Sequence, residues 1–246
     1  MAESELRAYR QKIQIVFQDP YRSLNPRRTV GQSIVEGPMN FGLSGTEAQS
    51  RAENLMRVVG LAPEALTRFP HQFSGGQRQR LGIARCLAVE PEFIVCDEVT
   101  SALDVSVQAQ IINLLEDLQD RLGLTYLLIT HDLSVVSHMA DEVAVMYLGR
   151  IVEQGRRDEV FSNPKHPYTQ ALLGAIPQVD IDSGHHKIHL GGDVPSPVNP
   201  PLGCHFHPRC TDRFERCPSA YPEVQHFSKT HMSRCFLYDS VAEADG

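Results

Sequence analysis

Tryptophan is absent from this sequence, and aromatic residues make up only 7% of its 246 positions. That share is ordinary for an α/β protein. No run of about 18 apolar residues occurs, which excludes a hydrophobic membrane-spanning helix. The opening MAESELRAYRQKIQ is charged and has no apolar centre, so it is not a secretory signal, and a cytoplasmic location is expected. Basic residues are in deficit, with 23 Lys and Arg against 30 Asp and Glu and a net charge of -7. A free nucleic-acid binder more often carries a basic face, so DNA and RNA are not expected partners. Cysteine is scarce, at six residues. In a reducing compartment those six are core residues or metal ligands rather than disulfides. No internal repeat is visible.

What is present is 41% hydrophobic residues, enough for one substantial core plus an appendage. IQIVF (13 to 17) reads as a buried strand, and DPYRSLNPRR after it as an ordered loop. TEAQSRAENLMRVVG (46 to 60) reads as a plain surface helix capped by Thr46, with Leu55, Val58 and Val59 in a stripe. Ser74 and two glycines open a helix in which Leu81, Ala84, Leu87 and Ala88 recur at helical spacing. PEFIVCDE and TYLLITHD are apolar runs ending in polar residues, the pattern of buried parallel strands. Between them, residues 105 to 122 carry Val107, Ile111, Leu114, Leu115 and Leu118 on one helical stripe. LSVVSHMAD reads as a short helix and EVAVMYLGRIVEQG as two strands around Gly149. Alternating strands and helices imply an α/β fold with a parallel sheet. After about residue 175 the chain turns rich in Pro, Gly and His, a linker into a small loop-rich unit holding four of the six cysteines.

Gln18, the pair Asp97–Glu98, and His131 each follow a strand, where a parallel sheet places ligands. Phosphoryl transfer needs a carboxylate for Mg²⁺ and a group that polarises the attacking water, and adjacent acids supply both charges. Backbone amides at the Ser74-Gly75-Gly76 helix start can cradle a phosphate. Singly each feature is more often a strand end, a turn residue or a helix cap. Their order and spacing together carry the argument.

That order resembles the ATP-binding subunit of an ABC transporter. FSGGQ (Phe73 to Gln77) resembles the signature motif, FIVCDE (Phe93 to Glu98) the Walker B strand with its following Glu, and SALD (Ser101 to Asp104) the D-loop. Gln18 in VFQDP resembles the Q-loop, and His131 in ITHD the H-loop. FQDPYRSLNPRRTV, HPYTQALLGAIP and PSPVNPPLGCHFHPRC are similar to the oligopeptide/dipeptide permease branch. The resemblance implies a P-loop NTPase-like nucleotide-binding domain, with a helical signature subdomain, over 1–160, and a transporter-type C-terminal region over 161–246. It implies ATP and Mg²⁺ as cofactors, with Asp97 and Gln18 at the metal, Glu98 as general base and His131 at the γ-phosphate. Ser74, Gly75, Gly76 and Gln77 would face ATP held by an opposite subunit, and Asp104 would lie at the dimer interface. The implied partners are a second ATPase subunit, the same or different, and two membrane permease subunits. An extracytoplasmic substrate-binding protein takes part indirectly, and the chain works at the cytoplasmic face of the membrane.

One part of the pattern is missing. The phosphate cradle G-x-x-x-x-G-K-[ST] needs a Gly-Lys pair, and no Gly-Lys dipeptide occurs in the sequence. The family places that loop ahead of the Q-loop, where 17 residues stand here. The expectation is an N-terminally truncated chain that does not hydrolyse ATP in cis and is poorly soluble alone, because strands beside the lost one keep unpaired edges. A non-catalytic partner fragment is the alternative reading.

Cys204, Cys210, Cys217 and Cys235 give C-x5-C-x6-C-x17-C, wider than zinc spacing. Four thiolates suit a [4Fe–4S] cluster, and proteins similar to this branch carry one, so the cluster is expected and zinc is the alternative. His205, His207, His226 and His231 are expected at the surface, Cys86 and Cys96 in the core.

Overall fold

The computed structural model describes residues 3–19, 24–101, 103–175, 191 and 193–239. The chain forms two compact units, Met1–Asp132 and Leu133–Gly246.

In the first unit, strands β1 (Ile13–Val16), β2 (Phe93–Asp97) and β3 (Thr125–Ile129) form a parallel sheet in the order β1–β2–β3. Helix α1 (Glu3–Lys12) leads into β1. Between β1 and β2 run α2 (Val30–Asn40), α3 (Gly45–Val58) and α4 (Gly75–Leu87), and between β2 and β3 runs α5 (Val105–Leu122). Their starts are written in local chemistry. Thr29 with Gln32, Ser44 with Glu47, and Ser74 with Gln77 form reciprocal capping boxes, each satisfying two orphan amides. Asp104 caps α5, and Gly123 at φ +67° ends it. The stripes of α4 and α5 bury Leu81, Ile83, Ile111 and Leu115 over Val16, Ile94 and Cys96 of the sheet. Cys86 donates to the Ile15 carbonyl at 3.2 Å, and the Tyr126 hydroxyl to the Leu115 carbonyl at 3.0 Å, tying both helices to the same face. Burial pushes the thiols of Cys86 and Cys96 up to about 12, so both stay neutral core groups.

Two elements differ from the sequence reading. Helix α3 is capped two residues earlier than expected, by Ser44, whose hydroxyl accepts from the Glu47 amide while the Glu47 carboxylate accepts from the Ser44 amide. It is no plain surface helix, since Ala48, Ala52 and Met56 are fully buried. Helix α2 was not anticipated, because Gly31, Gly37 and Pro38 interrupt its apolar period.

The second unit contains α6 (Leu133–Met139), β4 (Glu142–Tyr147), β5 (Arg150–Arg156), α7 (Arg157–Ser162), α8 (Pro167–Gly174), β6 (Gln225–His226) and β7 (Met232–Ser233). The sheet is antiparallel, in the order β4–β5–β7–β6. Leu148 and Gly149, both at positive φ, make the tight hairpin turn between β4 and β5. Pairing of β5 with β7 joins residues in the 150s to the tail, within the unit that begins at Leu133. Residues 176–190 of the Pro/Gly/His-rich stretch, and residues 20–23 of the early loop, lie outside the described residues.

Phe206, 1% exposed, centres this unit's core, with Tyr147 at 5.2 Å and Tyr168 at 5.3 Å between ring centroids. Glu153 on β5 is fully buried. Its carboxylate accepts from the amides of Lys165 (2.6 Å) and His166 (2.8 Å) and from His231 Nε2 (2.8 Å). His231 is therefore a core residue, against the surface position expected for it.

Partly buried Glu159 accepts from Ser228 and Thr230, and these bonds hold its carboxyl down at about 2. A lowered carboxyl favours the folded form above the ordinary value of 4.5, and that grip is lost as pH falls from about 4.5 to about 2. We expect an NMR titration of the Thr230 amide to show a transition centred near 2. Glu159→Gln should remove the transition.

Candidate nucleotide site

Parallel strands end on one edge of their sheet, so β1, β2 and β3 bring Gln18, Asp97–Glu98 and His131 to the same rim. Glu98 is the hub. Gln18 Nε2 donates to Glu98 Oε2 at 2.6 Å and lies 3.4 Å from Ser101 Oγ. His131 Nδ1 stands 3.4 Å from Glu98 Oε1. Ser101 Oγ donates to the Glu98 carbonyl at 3.0 Å. Asp97 completes β2 in register with Ile129. Ser101 was read only as part of a motif; its position three residues after Glu98 closes a turn that points its hydroxyl at Gln18.

Glu98 sits at φ +46°, in the left-handed region that non-glycine residues avoid. Such a conformation costs on the order of 1–3 kcal/mol and persists where the surroundings enforce it. Here the Glu98 amide donates to the Ile129 carbonyl at 2.9 Å, and the Ser101 amide to the Glu98 carbonyl at 3.1 Å. The His131 contact does little to offset that strain, since the His131 side chain is 73% exposed and exposed polar contacts contribute little. Glu98, its side chain 30% exposed, thus stands at a strained backbone position between the Gln18 amide and the His131 imidazole.

A second group gathers at the starts of α4 and α5. The Ser74 hydroxyl accepts from the Gln77 amide, and Gln77 Oε1 accepts from the Ser74 amide. Asp104 accepts from the Val107 amide (3.0 Å) and the Ser106 hydroxyl (2.9 Å), bonds that hold its carboxyl below the ordinary range. Gly75 and Gly76 fill the first turn of α4, whose amides lack carbonyl partners within the helix. Gly76 has a packing reason as well: a Cβ there would lie 2.4 Å from Val107 Cγ1. We expect Gly76→Ala to lower stability by about 1–3 kcal/mol in a denaturant titration. Adding Val107→Ala should recover most of that loss.

In the second unit Cys204, Cys210, Cys217 and Cys235 line one small cavity with His166, Phe206 and Phe236. Burial raises the thiols of Cys204, Cys210 and Cys235, the last two to about 11 and about 12. Among the described residues, no three His, Cys, Asp or Glu side chains form a group that could hold a metal ion. The four cysteines thus share a cavity without forming a metal-holding group, so neither the expected cluster nor zinc gains support from the geometry.

Comparison with known proteins identifies the family. The ABC transporter model matches residues 1–101, and the model for the oligopeptide/dipeptide transporter C-terminal region matches residues 152–217. The dipeptide transport ATP-binding protein DppF of Escherichia coli is 53% identical over 232 residues, 94% of this chain and 69% of its own length. This chain belongs to the ATP-binding proteins of peptide ABC transporters. DppF of Haemophilus influenzae is 52% identical over 96% of this chain and 73% of its own length. The probable peptide ABC transporter ATP-binding protein y4tS of Sinorhizobium fredii is 55% identical over 99% of this chain and 69% of its own. Among solved structures, cbiO1 of Clostridium perfringens, part of the ABC transporter complex cbiONQ, superposes with a TM-score of 0.59 at 34% identity. That match covers 66% of this chain and 64% of the solved one. The first unit thus has the fold of an ABC nucleotide-binding domain, with its parallel sheet. Among the described residues no helix is long and apolar enough to cross a membrane.

Proposed function

We propose that this chain is an ATP-binding subunit of an ABC importer for dipeptides or oligopeptides. It works peripherally at the cytoplasmic face of the membrane, with a second ATPase subunit and two permease subunits, on substrate delivered by an extracytoplasmic binding protein. The observation that carries the reading is the convergence of Gln18 and His131 on the strained Glu98 at one sheet rim.

Bound Mg²⁺ would neutralise phosphate charge, and Asp97 and Gln18 are the residues to hold it. Glu98 accepts a proton from the attacking water; the Gln18 amide fixes one carboxylate oxygen and leaves the other toward His131. His131 donates toward the γ-phosphate. Ser74, Gly75, Gly76 and Gln77 close over ATP held by the opposite subunit, with Asp104 at the shared interface. None of these residues replaces the Gly-Lys cradle, which the 246 residues do not contain. The test is ATP turnover with and without an intact homologous subunit. Mixing should raise turnover above that of the intact subunit alone, and turnover by the 246-residue polypeptide by itself refutes the reading. The non-catalytic alternative rests on the same missing cradle. It gains if the mixture turns over ATP no faster than the intact subunit.

For the tail, four thiols around one cavity are the support for a [4Fe–4S] cluster, with zinc as the alternative, and the lack of a metal-holding group among the described residues weighs against both. Loading would release protons from thiols that burial keeps neutral. Iron and acid-labile sulfide assays after anaerobic purification test it. Neither iron nor sulfide in a folded chain overturns it.

A further inference from the structure

The four tail cysteines are free thiols and line one small cavity, but they are not held alike. The Cys204 amide donates to the Cys217 carbonyl at 2.8 Å. Cys210 donates instead to the His207 carbonyl at 3.4 Å, and the Cys235 carbonyl accepts from the Tyr238 amide at 3.3 Å. Among the described residues, Cys204 and Cys217 are the one pair of the four joined main chain to main chain.

Bond lengths turn that hydrogen bond into a limit on reach. The two Cα atoms stand at most about 6.7 Å apart. A disulfide spans Cα separations of about 4.4–6.8 Å. Gly203 allows the approach. It sits at φ +68°, and a Cβ there would lie 2.3 Å from the Cys217 carbonyl oxygen and 2.7 Å from the Pro218 carbonyl carbon. Each partner is also fixed in a turn of its own. The Cys204 carbonyl accepts from the His207 amide at 3.0 Å, and the Cys217 amide donates to the Phe214 carbonyl at 3.0 Å. Both side chains line the same cavity, so closing the pair asks for side-chain rotation rather than a main-chain shift.

We propose that Cys204 and Cys217 are a redox modification site, closing a reversible disulfide with a low-molecular-weight disulfide as the oxidant. Cys204 is the more open thiol and Cys217 is buried, so Cys204 reacts first and Cys217 resolves. The Cys204 thiol gives up its proton, and its sulfur attacks one sulfur of the oxidant. A mixed disulfide forms and one small thiolate leaves. The Cys217 sulfur, deprotonated in turn, attacks the Cys204 sulfur, forms the internal bond and expels the second small thiolate. The two expelled thiolates take up the two protons, and two electrons pass from the cysteine pair to the oxidant. A small thiol reductant reverses both steps. Transient, redox-sensing disulfides are the kind a reducing compartment permits. The bond withdraws two of the four thiols, so oxidation bars any ligand that needs all four. The pairing itself does not depend on which ligand that is.

The test uses the reduced, metal-free 246-residue polypeptide, with circular dichroism establishing that it is folded. It is equilibrated in glutathione buffers of rising oxidised-to-reduced ratio, quenched in acid, alkylated and digested with trypsin. Arg209, Arg213, Arg216, Lys229 and Arg234 place the four cysteines in four separate peptides. Mass spectrometry should find the Cys204 peptide joined to the Cys217 peptide about tenfold or more above every other pairing, with Cys210 and Cys235 alkylated. Dithiothreitol should return all four to the alkylated state. Cys217→Ser should leave Cys204 as a mixed disulfide with glutathione and no internal bond. A different leading pair, a bond between two chains, or no pair at any ratio overturns the proposal. So does the same preference in denaturant, which would mean that spacing along the chain, and not the main-chain contact, selects the partners.

Discussion

Once the chain is joined to a phosphate-loop segment, Glu98→Gln is expected to lower ATP turnover by about 10²–10⁴-fold. The substitution keeps an acceptor for the Gln18 amide and the shape of the side chain, and removes only the capacity to take a proton. Nucleotide affinity, read by equilibrium titration, should stay near the parent value. That pattern separates a proton acceptor from a scaffold residue. A scaffold role for Glu98 would show as loss of affinity and stability together. His131→Ala and Gln18→Ala should each cost less than Glu98→Gln, since each touches the hub on one side only. Equal turnover in the parent and Glu98→Gln would remove Glu98 from the chemistry.

The second large effect concerns Glu153. Its buried carboxylate serves three donors at once: the Lys165 and His166 amides ahead of α8, and His231 at the entry to β7. Glu153→Leu leaves all three without a partner in the interior. Each unsatisfied buried group costs about 1–3 kcal/mol, and breaking a buried pair costs about 3–5 kcal/mol. We expect Glu153→Leu to lower the second unit's stability by about 3–5 kcal/mol in a denaturant titration followed by Tyr147 and Tyr168 fluorescence. Glu153→Gln keeps an acceptor and should lose less. Glu153→Leu with His231→Leu should recover part of the loss, because it removes the orphaned imidazole along with the carboxylate. An unchanged midpoint in Glu153→Leu would mean the cluster does not hold the tail to β5.

Strand ends were legible because each apolar run stops at a polar residue: IQIVF at Gln18, FIVCD at Glu98, TYLLI before His131. The start of α4 was legible for a local reason, since Ser74 and Gln77 act within three residues, whereas Asp104 was read only as part of a motif and its capping of α5 was not. Helix α2 was not, because Pro38 and two glycines break the apolar period and burial against the rest of the unit holds the helix in place. The Glu153–His231 bond joins residues 78 apart, and no local pattern marks His231 as buried. The exposure of Ile15, Leu127 and Ile129 on one face of the first sheet was hidden for a different reason. A continuous apolar run reads as a strand covered on both faces, and only pairing order and exposure distinguish a strand covered on one. The backbone strain at Glu98 is likewise invisible in the letters DE and emerges from the Ile129 and Ser101 hydrogen bonds.

The account reduces to a claim about one carboxylate: Glu98 is poised for water activation and idle until phosphates are held in front of it. The direct measurement is the rate of ATP hydrolysis by the purified 246-residue polypeptide, alone and fused to a segment carrying a Gly-Lys-[Ser/Thr] phosphate loop, in parent and Glu98→Gln forms. The account predicts no hydrolysis alone, hydrolysis with the segment, and its loss in the variant. Hydrolysis by the polypeptide alone at a rate indifferent to Glu98→Gln would contradict it.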